Sequence, residues 1–210
     1  ERIDGIYQAE GVMSQGIEWR RDASEPWQPA VIKSRADLED QKMDIERLIE
    51  GDWPRRNKLA IGSGYDEKAE IYSGDSIQIR LGDSVRDYEI LGTIKPLSPA
   101  PIFGESITLY ADRETFFRIT GRRDFNLIQT QDVSYDQVRA EAADLSMREY
   151  FDDIGVDSVG ISFPFQSRII PPDIPPAAAI LDATFLILGI IGIVVIILGI
   201  FLVNNSISAI

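Results

Sequence analysis

Chemistry needs side chains that can move a proton, attack a bond or hold an ion, and this chain offers a narrow set. Its 210 residues contain no histidine and no cysteine. That excludes zinc sites built on cysteine and histidine, Ser-His-Asp and Cys-His hydrolases, thioredoxin-like redox chemistry and disulfides. Carboxylates, Lys, Ser and Tyr remain. Asp152 and Asp153 are adjacent at an expected helix end, so they point in different directions and make a poor glycosidase pair. Asp37, Glu39, Asp40 and Asp44 suggest calcium at first sight, but lack the alternating oxygen ligands and central glycine of an EF-hand loop. A solvated helix face is expected there instead. Gly62-Ser63-Gly64 is too short for a dinucleotide fingerprint or a P-loop and reads as a plain turn. Trp19, Trp27 and Trp53 could line a ligand groove; packing in the core or at a subdomain junction is expected. No catalytic residue, metal or cofactor is assigned.

The charge balance narrows the partners. Lys and Arg total 21 against 34 Asp and Glu, a formal charge of −13. A nucleic-acid groove needs the opposite surplus. No Asp, Glu, Lys or Arg follows Asp182, so the whole −13 sits on the first 182 residues. From Ala183 to Val203 only Thr184 is polar. Those 21 residues would make a helix roughly 31 Å long, the thickness of a bilayer core. Apolar on every face, the segment reads as a transmembrane helix, too long and too late for a signal peptide. Gly192, Gly199 and Ser206 recur every seven residues and form a seam of small side chains against which another membrane helix can pack. The chain begins with Glu1, so a processed product or fragment is expected, with a signal peptide or membrane helix upstream. The last basic residue before the span is Arg168, and a flank without Lys or Arg is more often non-cytoplasmic.

The elements upstream follow from periodicity and turn residues. Strands are expected over Gly5–Val12, Gly16–Arg21, Pro29–Arg35, Leu59–Ile61, Ile107–Ala111 and Phe125–Gln129. A helix is expected where Leu38, Ile45, Leu48 and Ile49 share a face, stopped by Gly51. Ser76–Leu81 and Val85–Leu91 flank Gly82-Asp83-Ser84 as a hairpin. A short helix is expected near Glu114–Ile119, and a long one over Tyr135–Ile154, with Ser134 and Gln137 as its capping box and Val138, Ala142, Leu145, Phe151 and Ile154 on one face. Val159, Ile161, Phe163 and Phe165 alternate with polar or small residues as a strand that Pro164 pushes to a sheet edge. Pro171, Pro172, Pro175 and Pro176 make a stiff coupling link.

The expected fold is therefore α+β, a two-part domain over 1–176. Residues 1–58 and 132–170 form a strand-helix core, and 59–131 an inserted β-rich subdomain. The Pro-rich link covers 171–182, the membrane helix 183–203, and 204–210 starts the next segment.

Four stretches, in this order, resemble the extracytoplasmic core domain and second membrane helix of MacB/FtsX-like ABC transporter permeases. "GIEWRRDASEPWQPAVIKSRADLED" resembles that domain's entry strands. "RLIEGDWPRRNKLAIGSGYDEKAEIYSGDSIQI" resembles its "EG" turn, strand, short helix and "GD" opening a new strand. "RDYEILGTI" resembles a further strand of the family, with Leu91 where valine is commoner. "LDATFLILGIIGIVVIILGIFLVNNSISAI" resembles its membrane helix, with Asn205-Ser206 in place of Asn-Thr. The resemblance implies a permease with four membrane helices in the cell membrane, residues 1–182 lying outside the cytoplasm. It implies a second permease copy or paralogue, a cytoplasmic ABC ATPase that carries the ATP sites, and lipid, lipoprotein, peptide or drug cargo. Two rivals are kept: a membrane-anchored receptor whose extracytoplasmic domain senses a ligand or serves as an adaptor, and a membrane-anchored enzyme with a strongly shifted carboxylate or lysine.

Overall fold

A computed structural model describes residues 5–95, 106–132, 134, 136–155, 169 and 178–208. Residues Glu1–Gln166 form one compact unit and Ser167–Ile210 a second.

Unit one is built on β1 (Gln8–Arg20), β2 (Gln28–Arg35), β3 (Arg47–Gly51), β4 (Lys58–Gly62), β5 (Ser76–Leu81), β6 (Ser84–Lys95), β7 (Ile107–Ala111) and β8 (Leu127–Gln131). The sheet runs β2-β7-β4-β6-β5-β1-β8, and β1 also pairs with β2 from Val12↔Arg35 to Trp19↔Gln28. That extra pairing closes six strands into a small barrel, which leaves no free edge around the ring. β2/β7 and β4/β6 are parallel and the other pairings antiparallel, so the sheet is mixed. Around this one barrel β1 and β2 sit side by side, and β7, β4, β6 and β5 complete the ring as one contiguous run.

The two-residue period decides what fills it. Met13, Ile17 and Trp19 of β1, Ala30 and Ile32 of β2, Leu59 and Ile61 of β4, Ile77 and Ile79 of β5, and Ile107, Leu109 and Ala111 of β7 all reach one core. Tyr65, Ile71 and Phe116, from α1 (Tyr65–Ala69), the turn after it and α2 (Arg113–Thr120), join them. Ala60 and Tyr110, of opposite parity, form a second cluster with Ile94, which lies beyond the register shift in β6, and with Leu48 and Trp53.

The hairpin forms where expected, Leu81 pairing with Ser84. Gly82 alone of the two turn residues has a positive φ, as a type II′ turn requires. α2 also forms, its N-terminus capped by Asp112 Oδ1 accepting from Thr115 N at 2.6 Å. The expected strands Gly5–Val12 and Gly16–Arg21 merge into the single β1.

Two expectations change. The helix through Leu38 and Ile49 does not form: residues 36–46 are loop and 47–51 are β3. Side chains there take the backbone groups a helix would have paired. Arg35 donates to the carbonyls of Met43 and Asp44, and Glu10 accepts from the amides of Lys42 and Met43. Leu48 then packs as a strand residue, while Ile45 and Ile49 are exposed. The long helix, α3 (Gln137–Asp153), forms, but its cap is Asp136, which accepts from Arg139 N at 2.9 Å, rather than Ser134. A carboxylate adjoining the first turn also meets the positive end of the helix dipole. Val138 and Leu145 are 75% and 58% exposed, and the buried residue of α3 is Ala143.

Unit two contains α4 (Ala178–Ser208), 31 residues long. Its described side chains run from 184 to 199, sixteen residues or about 24 Å of helix, and include Phe201 beyond. Among the described residues no helix is long and apolar enough to cross a membrane. The expected span, 183–203, extends past that run at both ends. The strand over Val159–Phe165 lies outside the described residues.

Candidate functional site

The residue groups first considered for chemistry separate in space. Asp37 Oδ1 accepts from the amides of Glu39 and Asp40 in a turn, Asp40 pairs with Lys42, and Asp44 accepts from Gln129 Nε2 at 2.7 Å. Among the described residues no group of three or more Asp, Glu, His or Cys is placed to hold a metal. Asp152 and Asp153 are both exposed at the end of α3. Gly62-Ser63-Gly64 turns from β4 into α1, and Asp66 Oδ1 caps the turn by accepting from Gly64 N at 2.8 Å. The three tryptophans do not share a groove. Trp19 is in the barrel core, Trp53 packs on the second cluster, and the Trp27 ring carries the guanidinium groups of Arg20 and Arg80 at 4.2 and 4.4 Å.

Pro171, Pro172, Pro175 and Pro176 lie outside the described residues, as does the side chain of Ser206. Gly192 and Gly199 lie on α4. Seven residues is about 20° short of two helical turns, so both sit on one face. A Cβ added at either would meet nothing within 4 Å. The described large side chains around them, from Phe185 to Phe201, are exposed.

The motifs behind the resemblance meet at one joint. Gly51 of the "EG" turn and Gly92 of "RDYEILGTI" pair across β3 and β6. A Cβ on Gly51 would lie 2.0 Å from Leu91 O, and one on Gly92 would lie 2.4 Å from Glu50 O. Gly51 also has φ +73°, a conformation only glycine adopts freely. The "GD" pair locks onto the same strand: Gly74 N donates to Ile90 O and Ile90 N to Asp75 O, both at 2.8 Å. Ser73 Oγ donates to Leu91 O at 2.7 Å. The glycines therefore fix how β3, β5 and β6 meet.

A second feature escaped the sequence. Arg35 ends β2 with its side chain 4% exposed, paired with Glu10 at 3.2 Å and Glu46 at 3.4 Å. Tyr110 lines the same cavity as Glu46. Burial pushes the Glu46 carboxyl above its usual range, against the opposing pull of Arg35. Burial, reinforced by Glu46, holds the Tyr110 phenol neutral across the ordinary pH range. A cavity of about 50 Å³ adjoins the cluster, lined among others by Arg35, Asp44, Glu46, Tyr110 and Gln129. The one signal in the sequence was Arg35 closing an otherwise core-facing strand.

No family model and no curated protein matches the chain. It is similar to solved structures of transporter domains. One is the extracellular domain of the ABC-type transporter YknZ from Gram-positive bacteria, 14% identical, TM-score 0.49, covering 73% of this chain and 79% of that one. Another is the periplasmic region of MacB from Actinobacillus actinomycetemcomitans, 11% identical, TM-score 0.44, covering 73% of this chain and 70% of that one.

Proposed function

We propose that the chain is the extracytoplasmic core domain and following membrane helix of a MacB/FtsX-like ABC transporter permease. The observation that carries this reading is the joint at Gly51, Gly74 and Gly92. Three separate pieces of the resemblance converge there on one β-strand, each glycine or its neighbour serving a backbone contact. Chance matches scattered along a chain have no reason to converge. The uncharged run after Asp182 supports the membrane half, since α4 at 31 residues would be about 46 Å long.

In this reading residues 1–182 lie outside the cytoplasm and 183–203 span the bilayer. A second permease copy or paralogue packs on the Gly192, Gly199 and Ser206 seam, and a cytoplasmic ATPase supplies the energy. The Pro171–Pro176 link passes helix motion to the barrel, which acts on a lipid, lipoprotein, peptide or drug.

Because the chain has no cysteine, single cysteines report topology cleanly. Ser24→Cys, in an exposed turn, should react with a membrane-impermeant maleimide in intact cells. Ser208→Cys should react only after permeabilisation. The protein should also co-purify with an ATPase. Equal labelling at both positions in intact cells would overturn the membrane half. Correct topology with a signalling domain in place of the ATPase would favour the receptor alternative.

A further inference from the structure

Two carboxylates share one guanidinium beneath the loop of residues 36–46. We propose that Glu46 is a proton-operated latch on this loop: a proton taken up as the surroundings acidify holds the loop closed, and its loss loosens the loop.

The groups facing Glu46 come from every element around it. β2 contributes Arg35 and the half-buried Lys33, β7 the neutral Tyr110 hydroxyl, β8 the neutral Gln129 amide, and the loop itself Asp44. β1 contributes Glu10, which competes for the same guanidinium. With Glu46 ionised, three carboxylates face two cations. With Glu46 protonated the count is two and two.

Arg35 cannot compensate the third carboxylate well. Its Nη1 serves Glu10 and the Met43 carbonyl, and its Nη2 the Asp44 carbonyl. Glu46 Oε2 is 3.4 Å from Arg35 Nε and makes no hydrogen bond, although Glu46 is only 6% exposed. A buried carboxylate so placed favours its neutral form. The adjoining cavity, about 50 Å³, is large enough for water to follow ionisation.

Glu46 also holds the loop mechanically. Its amide donates to Gln41 Oε1 at 2.7 Å, and Gln41 Nε2 donates to the Leu38 and Glu46 carbonyls. Because the carboxyl is buried beneath the closed loop, closure binds the proton more tightly than the open loop does. Closure is strongest in acid and weakens as pH rises above the ordinary carboxyl value of 4.5, towards the raised value. One proton allows at most about a tenfold change per pH unit.

The test is hydrogen exchange at the amides of Lys42, Met43 and Glu46, in the full chain in detergent micelles. Protection is followed from about pH 5 to about pH 8, after correction for intrinsic exchange. Wild-type protection should fall as pH rises, by up to about tenfold per unit. Glu46→Gln should be flat, and at neutral pH at least as protected as wild type. A flat wild-type profile would overturn the latch, as would lower protection in Glu46→Gln throughout, which marks an ordinary ion pair. If Glu46→Gln does not fold, carbon NMR of the wild-type carboxyl decides. A midpoint above 4.5 supports the latch, and one at or below it overturns the idea.

Discussion

The two glycines at the joint of β3 with β6 and those of α4 occupy opposite surroundings. Gly51 and Gly92 are pressed against backbone so closely that an added Cβ would sit within 2.4 Å of a carbonyl oxygen. A Cβ added at Gly192 or Gly199 would meet nothing within 4 Å. The large apolar residues divide in the same way: Leu59, Ile61 and Leu109 are fully buried, whereas the described ones of α4 are exposed. The barrel satisfies its special residues within the chain. On α4 the described residues of the same kinds stay exposed, the pattern expected of a helix that meets an apolar solvent or another molecule.

The largest effect that would sharpen this contrast is in the barrel core. Leu109→Ala removes a fully buried side chain from a closed barrel that has little room to collapse. It should cost about 2–5 kcal/mol in chemical denaturation. Leu188→Ala on α4 should leave barrel unfolding unchanged. Equal losses from the two would erase the distinction.

A smaller effect is expected at the joint. Gly92→Ala places a methyl group 2.4 Å from Glu50 O and 2.7 Å from Asp52 O. β3 must shift away, at about 1–3 kcal/mol by analogy with overpacking. Hydrogen exchange should localise the damage to the Asp52 amide, which donates to Leu91 O at 3.0 Å. A variant as stable as wild type would show that the close approach is dispensable.

Local structure was more legible than assembly. The hairpin, α2 and the strands β2 and β5 follow from turn residues and period. Barrel closure does not, because periodicity says which face a residue takes but not which strand lies beside it. β1 pairing with β2, β5 and β8 joins segments up to about 120 residues apart. The misread helix over Leu38–Ile49 has a specific cause: Glu10, on β1, and Arg35, at the end of β2, bind its backbone. The Arg35 cluster was hidden for a related reason. Charged residues are read as solvated, and only the fold brings Glu10, Arg35 and Glu46 under one loop. The Gly192 and Gly199 spacing was readable in the sequence, and an added Cβ at either meets nothing within 4 Å.

The smallest expected effect on the barrel tests that missing partner most directly. Gly192→Leu adds four carbons where an added Cβ meets nothing within 4 Å, so the described residues should not resist it. The barrel lies in the other compact unit, and its unfolding midpoint should be unchanged. Pairing between membrane helices is different, because close approach depends on small residues along the seam. Gly192→Leu and Gly199→Leu should each weaken self-association in micelles, on the order of tenfold. Gly189→Leu provides the control: it is also open, but lies three residues from Gly192 and about 60° off its face. Cross-linking yield against detergent dilution measures all three. If Gly189→Leu weakens pairing as much as Gly192→Leu, bulk anywhere on α4 is harmful and the face has no meaning. If none of the three changes it, the glycines are simply tolerated in an apolar helix. A shifted barrel midpoint in any variant would show that the two units do not fold independently.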